Sequence, residues 1–254
     1  MMEKLLNLPM VASQHGNDVN ELMVLVHWLM GALLVGWALF FAFTLVRFRA
    51  ADNRKADYNG VTGHSSTWLE ICVASLEAIL LIGFAVPLWA KVSGDFPADK
   101  DSTVVRVVGE QFSWNLVYPG PDAKFGRQDL GFVSKDNPFG FDRKDAATKD
   151  NVVSVNELHV PVGKPVILSC SSKDVIHSFK VVPLRVTQDC IPGLNIPTHF
   201  VPTKEGKYQV ICAQLCGNGH AAMAAGVVIV ESEGEFKKWI ASKSTGGGAA
   251  TTFE

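Results

Sequence analysis

The first third of the chain contains two long apolar runs with almost no charge. Residues 22–46 read LMVLVHWLMGALLVGWALFFAFTLV and carry no formally charged side chain. Residues 68–90 read WLEICVASLEAILLIGFAVPLWA and carry two glutamates. A helix of about 20 apolar residues is long enough to cross the hydrocarbon core of a bilayer. The runs predict a transmembrane hairpin over 21–93, with helices at about 21–48 and 66–92.

Neither a soluble helix pair nor a signal peptide accounts for these runs as well. Buried helices in a soluble core are disfavoured, since two apolar runs of this length are rare outside membranes. A cleaved signal peptide at the first run is also disfavoured. That run starts late, is too long for the apolar core of a signal peptide and has no small-residue cleavage site after it. We therefore predict a membrane protein surrounded by lipid.

Positive charge lies between the two runs. The basic residues there are Arg47, Arg49, Arg54 and Lys55, whereas residues 1–20 contain Lys4 alone. Short loops rich in Lys and Arg remain on the cytoplasmic side of a membrane. The pattern predicts a cytoplasmic loop, with an extracytoplasmic segment 1–20 and an extracytoplasmic region after the second helix. The lengths of the tail and loops favour a cell inner (plasma) membrane over an organellar inner membrane, which stays the alternative.

The remainder of the chain has the pattern of an all-β domain. Short runs such as STVVRVVGEQFSW and VVSVNELHVPVGKPVILSC are dominated by Val and Ile and separated by turn residues. This pattern is typical of a small antiparallel sandwich or barrel. We predict such a domain over 102–232, with the polar, aperiodic segment 121–151 as a surface insertion that a partner would order. Residues 233–254 are expected to form a short helix and a disordered tail.

The overall charge excludes one class of partner. The chain carries 23 Lys and Arg residues against 25 Asp and Glu residues, a net charge of −2. Nucleic-acid binding depends on a basic surface that displaces counterions. We therefore expect no nucleic-acid partner.

Four soft or borderline metal ligands are concentrated in residues 212–223, which read CAQLCGNGHAAM. Thiolate, imidazole and thioether together favour copper over calcium or magnesium, and methionine is an unusual ligand for zinc. Two cysteines four residues apart can bridge two coppers. Sharing one electron between two metals reduces the change of geometry on electron transfer, so the pattern favours a binuclear electron-transfer centre.

Such a centre requires a second histidine from elsewhere in the chain. His177 is the best candidate, because it ends a strand-like run in SSKDVIHSF. His159 lies inside a strand pattern and His199 lies beside a proline, so both suit structural roles.

These features together resemble subunit II of haem-copper cytochrome c oxidases. The resemblance covers about residues 20–240 and rests on the two spans and on the motifs DVIHSF, QDCIPG and CAQLCGNGHAAM. It implies a cupredoxin-like Greek-key barrel that carries a binuclear copper (CuA) centre. The implied copper ligands are His177, Cys212, Cys216 and His220, with Met223 and the backbone carbonyl of Gln214 as weak ligands.

The resemblance implies a subunit through which electrons enter a terminal oxidase. It would accept electrons from cytochrome c and pass them to haem in subunit I, where oxygen is reduced to water. The haem and the catalytic residues would then lie in the partner, and other oxidase subunits would be further partners. Two alternatives are the CuA subunit of a haem-copper nitric oxide reductase and a membrane-tethered copper carrier.

Gln214 departs from the family pattern. The family commonly has a glutamate there, which helps to bind a Mg or Mn ion at the boundary with subunit I. An amide offers a hard cation no charge, which weakens the prediction of that ion. Asp189 matches the aspartate near it.

Aromatic and acidic residues are candidates for contact with the electron donor. Phe112 occupies the position of the family tryptophan at which electrons enter, and Trp114 matches a later aromatic residue that also suits packing beneath the copper site. Acidic residues can steer a basic cytochrome; the candidates are Glu110, Asp122, Asp174 and Asp189.

Two glutamates in the second span are candidates for proton uptake. Glu70 matches the family glutamate at the mouth of a proton channel, although a place at the lipid headgroups would also explain it. Glu77 lies seven residues further and shares its helix face.

Cys170 and Cys190 have no counterpart in the family pattern. Two buried thiols explain them, and a disulfide is the alternative that an extracytoplasmic compartment permits.

Overall fold

The structure is a computed structural model that describes residues 5–51, 58–60 and 62–244. It divides into a mainly helical unit, Met1–Leu8 with Asp18–Lys91, and a β unit, Pro9–Asn17 with Val92–Glu254. Arg54 and Lys55 of the predicted cytoplasmic loop, Lys4, and residues 245–254 of the predicted tail lie outside the described residues.

Two long helices, each apolar on all sides, form the helical unit. Helix α1 is Gly16–Arg47 and helix α2 is Ser65–Ser93, and both are long and apolar enough to cross a membrane. Large side chains such as Trp37 and Phe40 are more than half exposed. A helix that is hydrophobic all round suits lipid rather than water. A π-helical turn, Leu81–Ala85, comes just before a proline that cannot donate a helical hydrogen bond.

The β unit contains eleven strands in its described residues. Their bounds are β1 Thr103–Glu110, β2 Ser113–Tyr118, β3 Val152–Val155, β4 Glu157–Pro161, β5 Val166–Ser172, β6 His177–Val181, β7 Val186–Cys190, β8 Ile196–Phe200, β9 Gly206–Gln209, β10 Ile211–Cys212 and β11 Val227–Glu231. Helix α3, Glu233–Ser244, follows.

The strands form three sheets, in the orders β3-β2-β1-β5-β8, β10-β6-β7 and β4-β11-β9. Most pairs are antiparallel, but β1 pairs with β5 and β11 with β4 in parallel. The arrangement is therefore mixed rather than purely antiparallel as predicted, because strands distant in sequence are brought side by side. Alternate residues of β1, such as Val105 and Val107, are fully buried in the core.

The insertion 121–151 is held by its own hydrogen bonds. It contains 3₁₀ turns at Leu130–Phe132 and Ala146–Thr148, and each is capped by an aspartate side chain. The Asn137 amide donates to the carbonyls of Phe132 and Phe141. The segment thus has internal hydrogen-bonded order of its own, and a contribution from a partner stays a prediction. Asn and Asp side chains satisfy the backbone locally without leaving any periodicity in the sequence.

Helix α3 packs on the β unit through aromatic contacts. The Trp239 ring stacks on His159 with centroids 4.0 Å apart and lies 5.2 Å from Tyr118. His159 Nδ1 also lies 2.9 Å from a Glu231 carboxylate oxygen. These contacts agree with the structural role expected for His159.

Candidate metal centre

Three sequence-predicted ligands converge in the β unit. The ligand atoms of His177, Cys212 and Cys216 all lie within 4.8 Å of one another. His177 is fully buried, and the two cysteines are at most 8% exposed. Soft donors in a buried site are shielded from water, which suits copper.

The other two predicted side-chain ligands lie at the same place. His220 Nδ1 is 3.3 Å from Cys216 Sγ, and Met223 Sδ is 3.2 Å from His177 Nδ1 and 3.4 Å from Cys216 Sγ. The two cysteine sulfurs are 3.9 Å apart. Five nitrogen and sulfur donors therefore face one small volume, and this donor set fits a copper centre.

Strand pairing brings the ligands together from separate parts of the chain. His177 begins β6, and Cys212 ends β10, which pairs with β6 so that Cys212 is opposite Phe179. The 3₁₀ helix His220–Ala225 then places His220 and Met223 three residues apart on one side of a turn.

Glycines shape the loop between Cys216 and His220. Gly217 has φ = +132°, a conformation that side chains rarely adopt, and a Cβ on Gly219 would lie 2.3 Å from the Phe112 ring. The ring of Phe112 therefore packs directly against the backbone of residues 212–223, here named the copper loop, where both glycines are required.

Asp174 determines which nitrogen of His177 faces the sulfurs. His177 Nε2 lies 2.9 Å from Asp174 Oδ1, so Nδ1 is the nitrogen on the cysteine and methionine side. Burial opposes the ionisation of Asp174, but hydrogen bonds from His177 and from the N–H groups of Gln111 and Val175 hold its pKa below the ordinary value. An acidic partner of this kind orients a metal-binding histidine.

The surroundings of the Cys216 thiol favour its protonated form. Burial, followed by the neighbouring Cys212, raises the pKa of this thiol. Copper binds thiolates, so copper binding at Cys216 would be coupled to release of its proton.

Trp114 is a buried neighbour of the ligands. It is 1% exposed, its Nε1–H donates to the Met223 carbonyl over 3.1 Å, and its ring meets His177 edge-on with centroids 6.0 Å apart. These contacts favour its packing role beneath the site. Phe112 is half-buried, nearer the surface.

Gln214 and Asp189 lie on either side of β6. Gln214 is exposed, and its backbone carbonyl is 3.1 Å from Cys212 Sγ. Asp189 is exposed and is opposite Ser178 in the β6–β7 register, while the Ser178 carbonyl accepts from Ala213 N–H. The structure thus places both residues near Ser178, one on each side of the central strand β6.

Two residues that sequence reasoning missed also hold the site. A Cβ on Gly109 would lie 2.8 Å from His177 Cδ2, so only glycine lets the imidazole reach this position. The Gln111 side chain donates to the Cys216 carbonyl over 2.6 Å. The motif GEQ contains both, but its long-range contacts leave no signal in a single sequence.

Cys170 and Cys190 are adjacent free thiols in the structure, and both are fully buried. A hydrogen bond with Cys190, followed by burial, raises the pKa of Cys170. Cys190 is opposite His177 in the β6–β7 register. The disulfide alternative is therefore not formed in this structure, although the pair lies close together.

Glu70 and Glu77 belong to α2 in the helical unit. Both side chains are exposed in the isolated chain, so they are not part of the metal centre.

Comparisons with known proteins extend these findings. Residues 103–232 match the family described as cytochrome c oxidase subunit II, periplasmic domain. The alternative cytochrome c oxidase subunit 2 of Bradyrhizobium diazoefficiens is 33% identical over 229 residues, which are 89% of this chain and 80% of that protein. The cytochrome c oxidase subunit 2 of Thermostichus vulcanus is 36% identical over 165 residues, 64% of this chain and 41% of that protein.

Among solved structures, the periplasmic domain of subunit II of a Bradyrhizobium japonicum cytochrome oxidase is 26% identical. The match covers 57% of this chain and 96% of that domain, with a TM-score of 0.42.

The family match and the sequence-derived resemblance agree. The predicted fold class, two long apolar helices followed by a cupredoxin-like β domain, is confirmed, and the two helices suit an inner-membrane protein with two spans. The chain belongs to the cytochrome c oxidase subunit II family, whose members are components of an oxidase.

Proposed function

We propose that this chain accepts electrons from a cytochrome c at a binuclear copper (CuA) centre and passes them to haem in subunit I of a terminal oxidase. The observation that supports this function most directly is the pair of buried cysteine sulfurs, 3.9 Å apart, with two histidines and a methionine around them. Two thiolates this close can bridge two coppers, and the two histidines provide one nitrogen ligand for each metal.

The residues that would hold the copper are on two pieces of the chain. Cys212 and Cys216 would bridge the metals, and His177 and His220 would each bind one. Met223 and the Gln214 carbonyl would complete the set. When bound, such a centre supplies reversible one-electron transfer with its charge shared over two metals.

The chain contributes rigidity and exclusion of water. Asp174 holds the His177 ring, and the Trp114 indole holds the backbone of Met223. The sulfurs and His177 are almost inaccessible to solvent. A ligand shell held by packing and hydrogen bonds changes little when charge changes, so it suits rapid electron transfer.

Phe112 and Trp114 mark a proposed path for electrons into the centre. Phe112 packs on Gly219 of the copper loop and is half-buried, while Trp114 is wholly inside. Phe112 lies nearer the surface than Trp114, which supports electron transfer into the centre through Phe112, while Trp114 packs beneath the site.

In the membrane, we propose the orientation given by the charge pattern. The loop after Arg47 would be cytoplasmic, and the β unit with its copper would be extracytoplasmic. Glu70 and Glu77 would then face subunit I or water and assist proton uptake, since intramembrane carboxylates rarely face lipid. Because Gln214 carries an uncharged amide, the proposal includes no Mg or Mn ion beside Asp189.

Copper stoichiometry and co-purification test the function. The full chain in detergent, loaded with copper, should hold two coppers and be purple from a mixed-valence state, and Cys216→Ser should lose both properties. Cys72→Ser is the matched control, because Cys72 is exposed on α2. A colourless chain with one Cu(I) would contradict the proposal and support a copper carrier. Isolation from its native membrane should retain a large haem protein that reduces oxygen.

A further inference from the structure

A second cavity lies in the β unit, apart from the copper ligands. It has a volume of about 350 Å³, within the range of small-ligand pockets. Strands β1 and β5 form its floor, the insertion from 127 to 139 forms one wall, and the turn 193–195 forms another. The insertion thus covers the sheet without filling the space above it.

The floor of the cavity contains a cation that lacks a counter-ion. Arg106 is half-buried, and one terminal nitrogen donates to the Gly126 carbonyl and to the Gln128 side chain. Its guanidinium carbon lies 4.3 Å from the centre of the Phe125 ring. Within the described part of the chain, Arg106 forms no ion pair with an acidic residue.

The positive charge of the half-buried Arg106 is unfavourable unless an anion binds beside it. Burial lowers the pKa of Arg106, which reflects the unfavourable free energy of moving its charge out of water. The contacts with Gly126, Gln128 and Phe125 hold the guanidinium in place, so an anion could bind it with little further loss of entropy. Arginine offers paired donors that suit carboxylate and phosphate groups.

The other charges of the cavity are also mainly positive. Arg127 and Lys173 line it, whereas Asp129 is its one acidic lining residue. Lys173 pairs with Glu110, but Arg127 is 3.7 Å from Asp129 and 3.9 Å from Asp142, distances typical of weak pairs at an exposed side chain. Arg127 can therefore turn toward a bound anion.

Uncharged groups complete the lining. Ser169 is beside Arg106 in the β1–β5 register, and Ser171 lies on the same face of β5. Apolar side chains complete the opposite side: Leu130, Val133, Phe139 and Leu194. Donors and cations on the floor with apolar groups on the walls match a ligand that has an anionic end and an apolar body.

We propose that this cavity binds a small organic anion, a carboxylate or a phosphate with an apolar part, through Arg106. The anion lies against the guanidinium and the serine hydroxyls, and the apolar part contacts the insertion. The site is independent of copper and of the electron-transfer proposal.

Calorimetry with defined probes tests the site in the full chain, held in an uncharged detergent. Phenyl phosphate should bind at one site, inorganic phosphate should bind more weakly, and neutral benzyl alcohol should not bind. Absence of phenyl phosphate binding, or equal binding of benzyl alcohol, would overturn the proposal.

Variants locate the binding. Arg106→Gln should weaken phenyl phosphate about tenfold or more, as expected when a hydrogen bond to a charged group is lost. Ser169→Asp should abolish binding by placing a carboxylate beside Arg106 while leaving the Arg106 contact with Gly126. Ser169→Ala should weaken binding less than Ser169→Asp does, because it removes one hydroxyl donor and adds no negative charge.

Arg143→Gln is the matched control, because Arg143 is an exposed arginine of the same insertion outside the cavity. It should bind phenyl phosphate as the unaltered chain does. Unchanged affinity in both Arg106→Gln and Ser169→Asp, or an equal loss in Arg143→Gln, would refute the assignment. Unfolding curves in detergent identify any variant that fails to fold. If Arg106→Gln fails to fold, the affinity of Ser169→Asp for phenyl phosphate decides the result.

Discussion

Large apolar side chains are mainly exposed in the helical unit and mainly buried in the β unit. In the helical unit, Trp37 is 58% exposed and Phe40 is 56% exposed, whereas in the β unit Trp114 and Phe179 are each 1% exposed. The β unit makes its own interior, while the helices present an apolar surface for which lipid or another protein must provide the environment. The candidate metal centre, which would depend on fixed ligand positions, lies in the unit that completes its own packing.

Removal of a tryptophan from each unit should give the largest contrast. Trp114→Ala should lower the free energy of unfolding of the β unit by about 3–5 kcal/mol, because it leaves a cavity beneath Met223. Trp37→Ala should change it by less than about 0.5 kcal/mol, as an exposed position does. Denaturant unfolding of the full chain in detergent measures both. Equal losses would show that the two units do not pack independently.

Substitution of arginine for an exposed leucine in each unit tests whether lipid or water surrounds that leucine. Leu34 is 71% exposed near the middle of α1, and Leu215 is 81% exposed in the copper loop. Leu34→Arg should oppose membrane insertion by about 2.5–3.5 kcal/mol, because arginine then lies in hydrocarbon. Leu215→Arg should leave insertion unchanged. Membrane fractionation gives the result, and similar distribution of both variants would mean that α1 does not span a bilayer.

A comparison of two aspartates in the β unit can distinguish orientation of a metal ligand from a general effect of negative surface charge on copper affinity. Asp174→Ala should weaken copper binding by about 10–100-fold, the usual effect of losing the group that orients a metal-binding histidine. Its absorption spectrum should also shift, because the His177 ring is released. Competition with a copper chelator measures the affinity. Asp189→Ala serves as the control, and a similar loss in that exposed residue would contradict the orienting role of Asp174.

The smallest effect concerns the insertion, which completes its own structure without a core. Hydrogen bonds from the N–H groups of Arg127 and Ala147 lower the pKa of Asp145 below its ordinary value of 3.8. A lowered folded-state pKa adds stability above the ordinary pKa, and this is lost as the pH falls through the lowered value. Proteolysis at residues 121–151 by an acid-stable protease should therefore accelerate below pH 3.8.

Asp145→Asn provides the comparison for that measurement. It should remove most of the acid dependence and make cleavage faster at neutral pH. An unchanged acid dependence in this variant would show that another group controls the insertion.

Sequence reasoning identified the clustered donors as candidate metal ligands because they carry unusual chemistry at short spacing. Cys212, Cys216, His220 and Met223 lie within twelve residues, and their soft donors have few other joint uses. The two long helices could also be predicted from the sequence, because a long apolar run has a single dominant physical cause, the thickness of the bilayer. Both signals are local and depend on residue type alone.

The features that sequence reasoning missed depend on contacts between residues that are distant in the sequence. The parallel pairing of β1 with β5 places Val107 beside Cys170, and no periodicity encodes that choice. Gly109 and Gln111 support His177 and Cys216 through space. Asp174 was a candidate for steering a cytochrome, yet its carboxylate meets the His177 ring. Alternation of residue types reports burial but not which strand lies next to which.

The pairing of β10 with β6 has a consequence for the order of biogenesis. The segment from Cys212 to Met223 carries four side-chain donors on one short peptide. His177 lies 35 residues from Cys212 and joins them only when the two strands pair. A nascent chain can therefore present a partial, exchangeable ligand set before it folds. The complete set of donors forms only when this sheet closes, so any metal bound earlier would be held by the short peptide alone.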